Sequence, residues 1–271
     1  MSRNVPLGVN CSILFSELPL LERPAAAKAA GFGAVEFWWP FSTAAPGDAE
    51  VDAFTRAVSS AGVQLIGLNF AAGDMPAGDR GLVSWPGREP EFRDSVQIAA
   101  GIGERLGTKA FNALYGNRLD DADPGAQDEL AAENLAWAAS QVAPLGAAVL
   151  LEPVSGSPRY PLLTAKDVVT VIERVEQAGV SNLRLLADFY HLAVNGDDLP
   201  TVIAAYGSRI GHIQLADAPG RHRPGTGELD LDGSLDAAAK AGYAGTIALE
   251  YLAVGDTAAD LAQLNLAVHG G

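Results

Sequence analysis

The feature that most constrains this chain is an alternation, repeated eight times, of a short uninterrupted apolar run and a longer Ala-rich, helix-type segment. The apolar runs lie at 7–12, 34–38, 64–69, 108–112, 147–151, 183–188, 210–215 and 246–251. The segments between them, at 20–30, 48–61, 89–106, 127–143, 164–178, 199–206, 234–241 and 257–268, are mostly helical in character. Strands covered on both faces read as continuous apolar runs, and parallel neighbours need a helical crossover to connect them. Eight such units in 271 residues match a single closed (β/α)8 TIM barrel without a domain linker. A weak internal echo agrees: AAAKAAGFGAVE at 25–36 and AAAKAGYAGTIALE at 237–250 each run from helix end through a Gly stop into a strand that closes on Glu.

In such a barrel the C-terminal strand ends converge on one mouth, where sites are built. Here they carry polar residues: Glu36, Asn69, Asn112, Glu152, Asp188, Gln214 and Glu250. A carboxylate flanked by apolar residues is costly unless it is paired or bound to a cation. Glu152, Asp188, Gln214 and Glu250 come from four consecutive strands and offer oxygen donors only. That set favours a hard divalent cation, Mg²⁺ or Mn²⁺, over zinc. For Glu36, Asn69 and Asn112 a structural role and a substrate contact stand level.

His191, three residues past Asp188, is a candidate substrate hydrogen-bond donor or a packed helix-start histidine. His212, two before Gln214 on the same side of its strand, reads as a core residue behind the site. His222 falls in a loop and His269 in the tail. Arg221 opens the stretch RHRPGTGE and is a candidate anchor for a substrate carboxylate; the alternative is pairing with Asp217 or Glu228. Lys109 and Arg88 are weaker candidates for that role. Trp38, Trp39, Phe41 and Trp85 cluster at loop positions, either as packing or as a wall that excludes water.

Composition narrows the partners. With 18 Lys+Arg against 33 Asp+Glu the net charge is −15, which disfavours nucleic-acid backbone and anionic membrane. Four histidines are too few for a His-rich multi-zinc centre, and the single cysteine, Cys11, forms no internal disulfide. No apolar run is long enough to cross a bilayer, and a cytoplasmic setting is the expectation.

With these residues placed, the sequence resembles the hydroxypyruvate isomerase family, a branch of the xylose-isomerase-like barrels that includes 2-oxo-tetronate isomerases. The resemblance spans nearly the whole chain through GAVEFWWP (33–40), AAGD and GDRG (71–81), PGREPEFRD (86–94), EP (152–153), DFYH (188–191), GHIQLADAPGR (211–221), PGTGE (224–228) and LEY (249–251). Two stretches depart from it: Leu68-Asn69-Phe70-Ala71, where the family often has His-Asn-Leu-Pro, and SGSPRY at 155–160. The resemblance implies a metal centre of Glu152, Asp188, Gln214 and Glu250, with Glu152 and Glu250 as the acid/base pair. It also implies a small hydroxy-oxo acid substrate, hydroxypyruvate or a four-carbon relative, and a homo-oligomer. His191, Arg221, Asn69 and Lys109 are then the expected substrate contacts. A ketose epimerase and a non-catalytic sugar-acid binder on the same barrel are the alternatives.

Overall fold

A computed structural model describes residues 6–264. Its elements follow the alternation: β1 (Leu7–Asn10), α1 (Arg23–Ala29), β2 (Ala34–Phe37), α2 (Asp48–Ala61), β3 (Gln64–Asn69), α3 (Glu89–Leu106), β4 (Ala110–Asn112), α4 (Pro124–Val142) and β5 (Ala148–Leu151). Then come α5 (Ala165–Glu176), β6 (Leu183–Asp188), α6 (Phe189–Val194), α7 (Leu199–Tyr206), β7 (Ile210–Leu215), α8 (Leu231–Lys240), β8 (Ile247–Leu249) and α9 (Thr257–Leu261). All eight strands pair in parallel and in chain order, and β1 closes the ring on β8. The expected TIM barrel is the fold.

The strands are shorter than the apolar runs by up to two residues at either end, because barrel pairing stops before the apolar character does. Glu152 and Glu250 therefore sit one residue past β5 and β8, at the rim. The expected first helix is a single 3-10 turn, Leu20–Glu22, followed by α1. The last expected helix is described only over Thr257–Leu261, and its remainder beyond residue 264, with His269, lies outside the described residues. No helix among the described residues is long and apolar enough to cross a membrane.

The core is one continuous cluster of buried Val, Leu, Ile, Ala and Phe joining strands to helices. Phe70, one residue past β3, stacks on Phe111 of β4 at 5.8 Å between ring centres, and Phe37 of β2 meets Phe54 of α2 edge-on at 5.2 Å. Several acidic residues serve helix starts. Asp123, Asp188, Asp198, Asp230 and Asp256 each accept a backbone N–H at the first turn of α4, α6, α7, α8 and α9. A carboxylate there satisfies an orphan donor and complements the helix dipole, so part of the negative charge is structural.

Candidate active site

The carboxylates at the mouth are held by a buried hydrogen-bond web. Glu36, the third residue of β2, is its hub. Its Oε1 accepts from Asn10 Nδ2 at 3.0 Å and from Gln214 Nε2 at 2.6 Å, and its Oε2 lies 2.7 Å from His212 Nε2. Asn10, at the end of β1, donates again to Glu250 Oε2 at 3.0 Å. One carboxylate thus fixes side chains from β1 and β7, and through Asn10 reaches the residue after β8. His212 sits behind the site. Gln214 spends its amide N–H on Glu36, which leaves its buried Oε1 without a protein partner among the described residues.

Asp188 both ends β6 and caps α6. Its Oδ1 accepts from Tyr190 N at 2.8 Å and His191 N at 3.1 Å, which turns the chain at once into the short helix carrying His191. The Ser155 N–H donates to His191 Nδ1 at 3.0 Å, and the Ser155 hydroxyl lies 2.7 Å from the same nitrogen. A backbone N–H can only donate, so Nδ1 is the acceptor and the proton of the neutral ring rests on Nε2. Nε2 is 3.7 Å from Asp188 Oδ2. Burial pushes the His191 pKa down to about 4, against the opposing pull of Asp188.

Glu152 and Glu250 are both buried, and both are held well above the ordinary carboxylate range. For each the first cause is burial; for Glu152 the Asp188 charge adds to it, and for Glu250 the Arg221 guanidinium opposes it. Glu152 Oε2 accepts from Asn112 Nδ2, and its backbone carbonyl accepts from the Tyr160 hydroxyl at 3.2 Å. Glu250 Oε1 accepts from Trp38 Nε1 at 3.2 Å and Arg221 Nη2 at 2.6 Å.

Arg221 is in the left-handed region (φ +57°), just after Gly220 (φ +98°). That turn throws its side chain over the mouth. Its Nη2 reaches Asp188 Oδ2 at 3.4 Å as well as Glu250, and its guanidinium lies 5.5 Å from the Tyr190 ring centre. Asp217, the surface alternative as its partner, is instead taken by the N–H groups of Ala218, Gly225 and Leu229. Among the described residues no three His, Cys, Asp or Glu side chains stand together as a ready-made metal set. The positive charge between Glu250 and Asp188 is the Arg221 guanidinium.

A cavity of about 120 Å³ lies among these groups, lined by Glu152, Glu250, His191, Arg221, Asn69, Trp38, Ser155 and, from the long loop after β3, Met75 and Arg80. Of the four expected substrate contacts, His191, Arg221 and Asn69 reach it. Lys109 does not: it precedes β4, at the end of the strand away from the mouth, and its Nζ donates to the Leu145 carbonyl on an exposed surface. That expectation is corrected. Arg88 is occupied by Glu91, at 2.6 Å, and Asp79, at 3.4 Å, beside a separate open cleft of about 750 Å³. Trp38 and Met75 line both spaces, so Trp38 is at once a wall and a donor to Glu250. Trp39 and Phe41 pack edge-on in the larger cleft. Asn10 and Arg80 are the site residues that the strand-end argument passed over. Asn10 carries the same signal as the others, a polar residue ending an apolar run.

Comparison with known proteins agrees with this architecture. A protein of Streptomyces coelicolor named "Putative hydroxypyruvate isomerase" is 53% identical over 249 residues, covering 90% of this chain and 89% of its own. The 2-oxo-tetronate isomerase of Cupriavidus necator is 35% identical, covering 95% of this chain and 96% of its own. A solved structure titled as an AP endonuclease, family 2, from Brucella melitensis superposes with a TM-score of 0.85 at 33% identity, over 95% of this chain and 97% of that one. The family model described as xylose isomerase-like TIM barrel matches residues 24–267, and the chain belongs to that family.

Proposed function

We propose that the chain is an isomerase of small hydroxy-oxo acids, with interconversion of hydroxypyruvate and tartronate semialdehyde (2-hydroxy-3-oxopropanoate) as its reaction. The observation that carries this reading is the pair of buried glutamates, Glu152 and Glu250, that line one small cavity with raised proton affinity. A side chain that must both take and return a proton near neutral pH works best with its pKa moved toward that range. The reaction moves one carbon-bound proton: one glutamate takes it from the hydroxymethyl carbon to give an enediolate, and a glutamate returns a proton to the former carbonyl carbon. The hydroxyl proton passes to the other oxygen, so substrate and product are isomers and no redox cofactor is needed.

The donor chemistry fits a divalent cation. Glu152, Asp188, Gln214 and Glu250 would hold it, and the buried Gln214 Oε1, without a partner among the described residues, is the feature that supports this. Bound there, Mg²⁺ or Mn²⁺ supplies Lewis-acid polarisation of the substrate carbonyl, which acidifies the neighbouring C–H. A nuclease reading finds little support in a chain of net charge −15 with four histidines.

The test is turnover in ²H₂O followed by NMR, with hydroxypyruvate and a four-carbon 2-oxo-tetronate as substrates, after chelation and again with Mn²⁺ restored. Aldehyde formation with deuterium entering at the carbon next to the carboxylate is expected. Turnover of the four-carbon acid alone would move the assignment to that substrate, and no isomerised product from either would end the isomerase reading. Equal rates with and without metal would remove the cation.

A further inference from the structure

A substrate that carries a carboxylate into a site of buried acids needs a cation whose charge is not already spent. Arg221 donates to Glu250 and reaches Asp188, Arg88 is paired with Glu91 and Asp79, and His191 accepts the Ser155 N–H on Nδ1. Arg80 is different. It lines the 120 Å³ cavity with Glu152, Glu250 and His191, and among the described residues it forms no ion pair. Its protein hydrogen bonds both use Nη1, which donates to Met75 O at 3.0 Å and Asp79 O at 2.7 Å. Among the described residues, Nε and Nη2 keep their donors without a protein acceptor.

The backbone around Arg80 is fixed on both sides. Gly116 N donates to Arg80 O at 2.9 Å, and Gly81 N donates to Ala72 O at 2.9 Å. Gly81 also bridges to Tyr115 beyond β4 at φ +110°, where an added Cβ would stand 1.8 Å from Leu114 O. The loop is thus bolted to the strand-four rim and the guanidinium is pinned through one nitrogen. Held through Nη1, the guanidinium of this cavity-lining residue keeps its Nε–Nη2 edge, a donor pair whose geometry suits a carboxylate.

We propose that Arg80 is the anchor for the substrate carboxylate, holding that charge away from Glu152 and Glu250. The assignment of a reacting hydroxy-oxo acid rests on the isomerase reading, while the anion-anchoring role does not. Pyruvate separates the two, because it carries the same oxo-acid group but lacks the hydroxyl that must become a carbonyl.

The experiment compares wild type, Arg80→Gln and Arg80→Lys, each checked by thermal unfolding. Pyruvate and hydroxyacetone, the neutral counterpart, are titrated by tryptophan fluorescence, and KM and kcat are measured for hydroxypyruvate. In Arg80→Gln the pyruvate dissociation constant and the hydroxypyruvate KM are expected to rise by the same factor, about 10- to 100-fold, the cost of one charge-assisted contact. The kcat and the hydroxyacetone affinity stay near wild type, and Arg80→Lys recovers part of the loss. Pyruvate binding that is unchanged in Arg80→Gln overturns the proposal, as does an equal loss for hydroxyacetone. If Arg80→Gln does not fold, unchanged pyruvate affinity in Arg80→Lys overturns it too. Loss of pyruvate binding in the variant beside a wild type that turns over no hydroxy-oxo acid sustains the anchor and removes the isomerase.

Discussion

Replacing Glu36 by Gln is the sharpest probe of how this site is held together. The shape is kept and only the charge goes. The carboxylate accepts from Asn10, Gln214 and His212 at 3.0, 2.6 and 2.7 Å, inside a fully enclosed web. In the variant, the amide oxygen still serves Asn10 and Gln214, and the amide N–H meets a His212 that has moved its proton to Nδ1. A hydrogen bond to a charged group contributes about 1.5–3 kcal/mol against about 0.5–1.5 for a neutral pair, so three such changes sum to about 3 kcal/mol. In a chain of this size that lowers the thermal midpoint by roughly 6–12 °C. Urea unfolding should show the same loss as an earlier midpoint at unchanged m. Because Glu36 fixes the Gln214 amide and, through Asn10, reaches Glu250, kcat for hydroxypyruvate should also fall, about 10- to 100-fold. A variant as stable as wild type to within about 0.5 kcal/mol would refute the charged hub, since that is the scale of an ordinary surface change. Full activity beside lost stability would separate the hub from the chemistry.

Three further outcomes are expected. Gly81→Ala forces a Cβ to 1.8 Å from the Leu114 carbonyl at φ +110° and should cost at least about 2 kcal/mol in urea unfolding, with a higher KM as the Arg80 loop shifts. Burial raises the Cys11 thiol from 9.0 to about 12, so it should resist a thiol reagent at pH 8 until the protein unfolds. Between those two values the unfolded chain gives up a proton that the folded chain keeps. Stability therefore falls as pH rises through that window, by about 1 kcal/mol from pH 9 to 10, and Cys11→Ala should lose that component of the alkaline slope. Lys109→Ala should leave KM and kcat for hydroxypyruvate unchanged, because its side chain is tied to Leu145 away from the mouth.

The sequence made the barrel legible because both signals are local: continuous apolar runs mark the strands, and Ala-rich segments between Gly stops mark the helices. The acids at the mouth were legible for a related reason, since a carboxylate ending an apolar run has few bland explanations once it recurs on consecutive strands. Strand polarity was the information needed to place Lys109. It stands where β4 begins, and parallel strands begin on the side opposite the site. The helix Phe189–Val194 is missing from the helical segments read from the sequence because six residues carry too little periodicity; Asp188 starts it from the last position of a strand. The structural role of Glu36 rests on bonds across the interior to Gln214 and His212, contacts between residues 178 and 176 positions apart that no local pattern reveals. Arg80 stayed hidden because its direction depends on a loop folding back against Tyr115 through Gly81. Such a return contact leaves no period in the sequence.

The glutamates proposed to handle protons stand one residue past the ends of strands, while much of the enclosure, Trp38, Met75, Arg80 and Ser155, comes from connections between elements. Reactivity and taste are therefore inherited from different stretches of chain. Exchanging the stretch from 70 to 88 for a longer or differently charged one would retrain the molecule toward a new acid while its inner ring of carboxylates went on working as before. A scaffold divided in this way is easy to respecialise, and hard to silence except from within the ring.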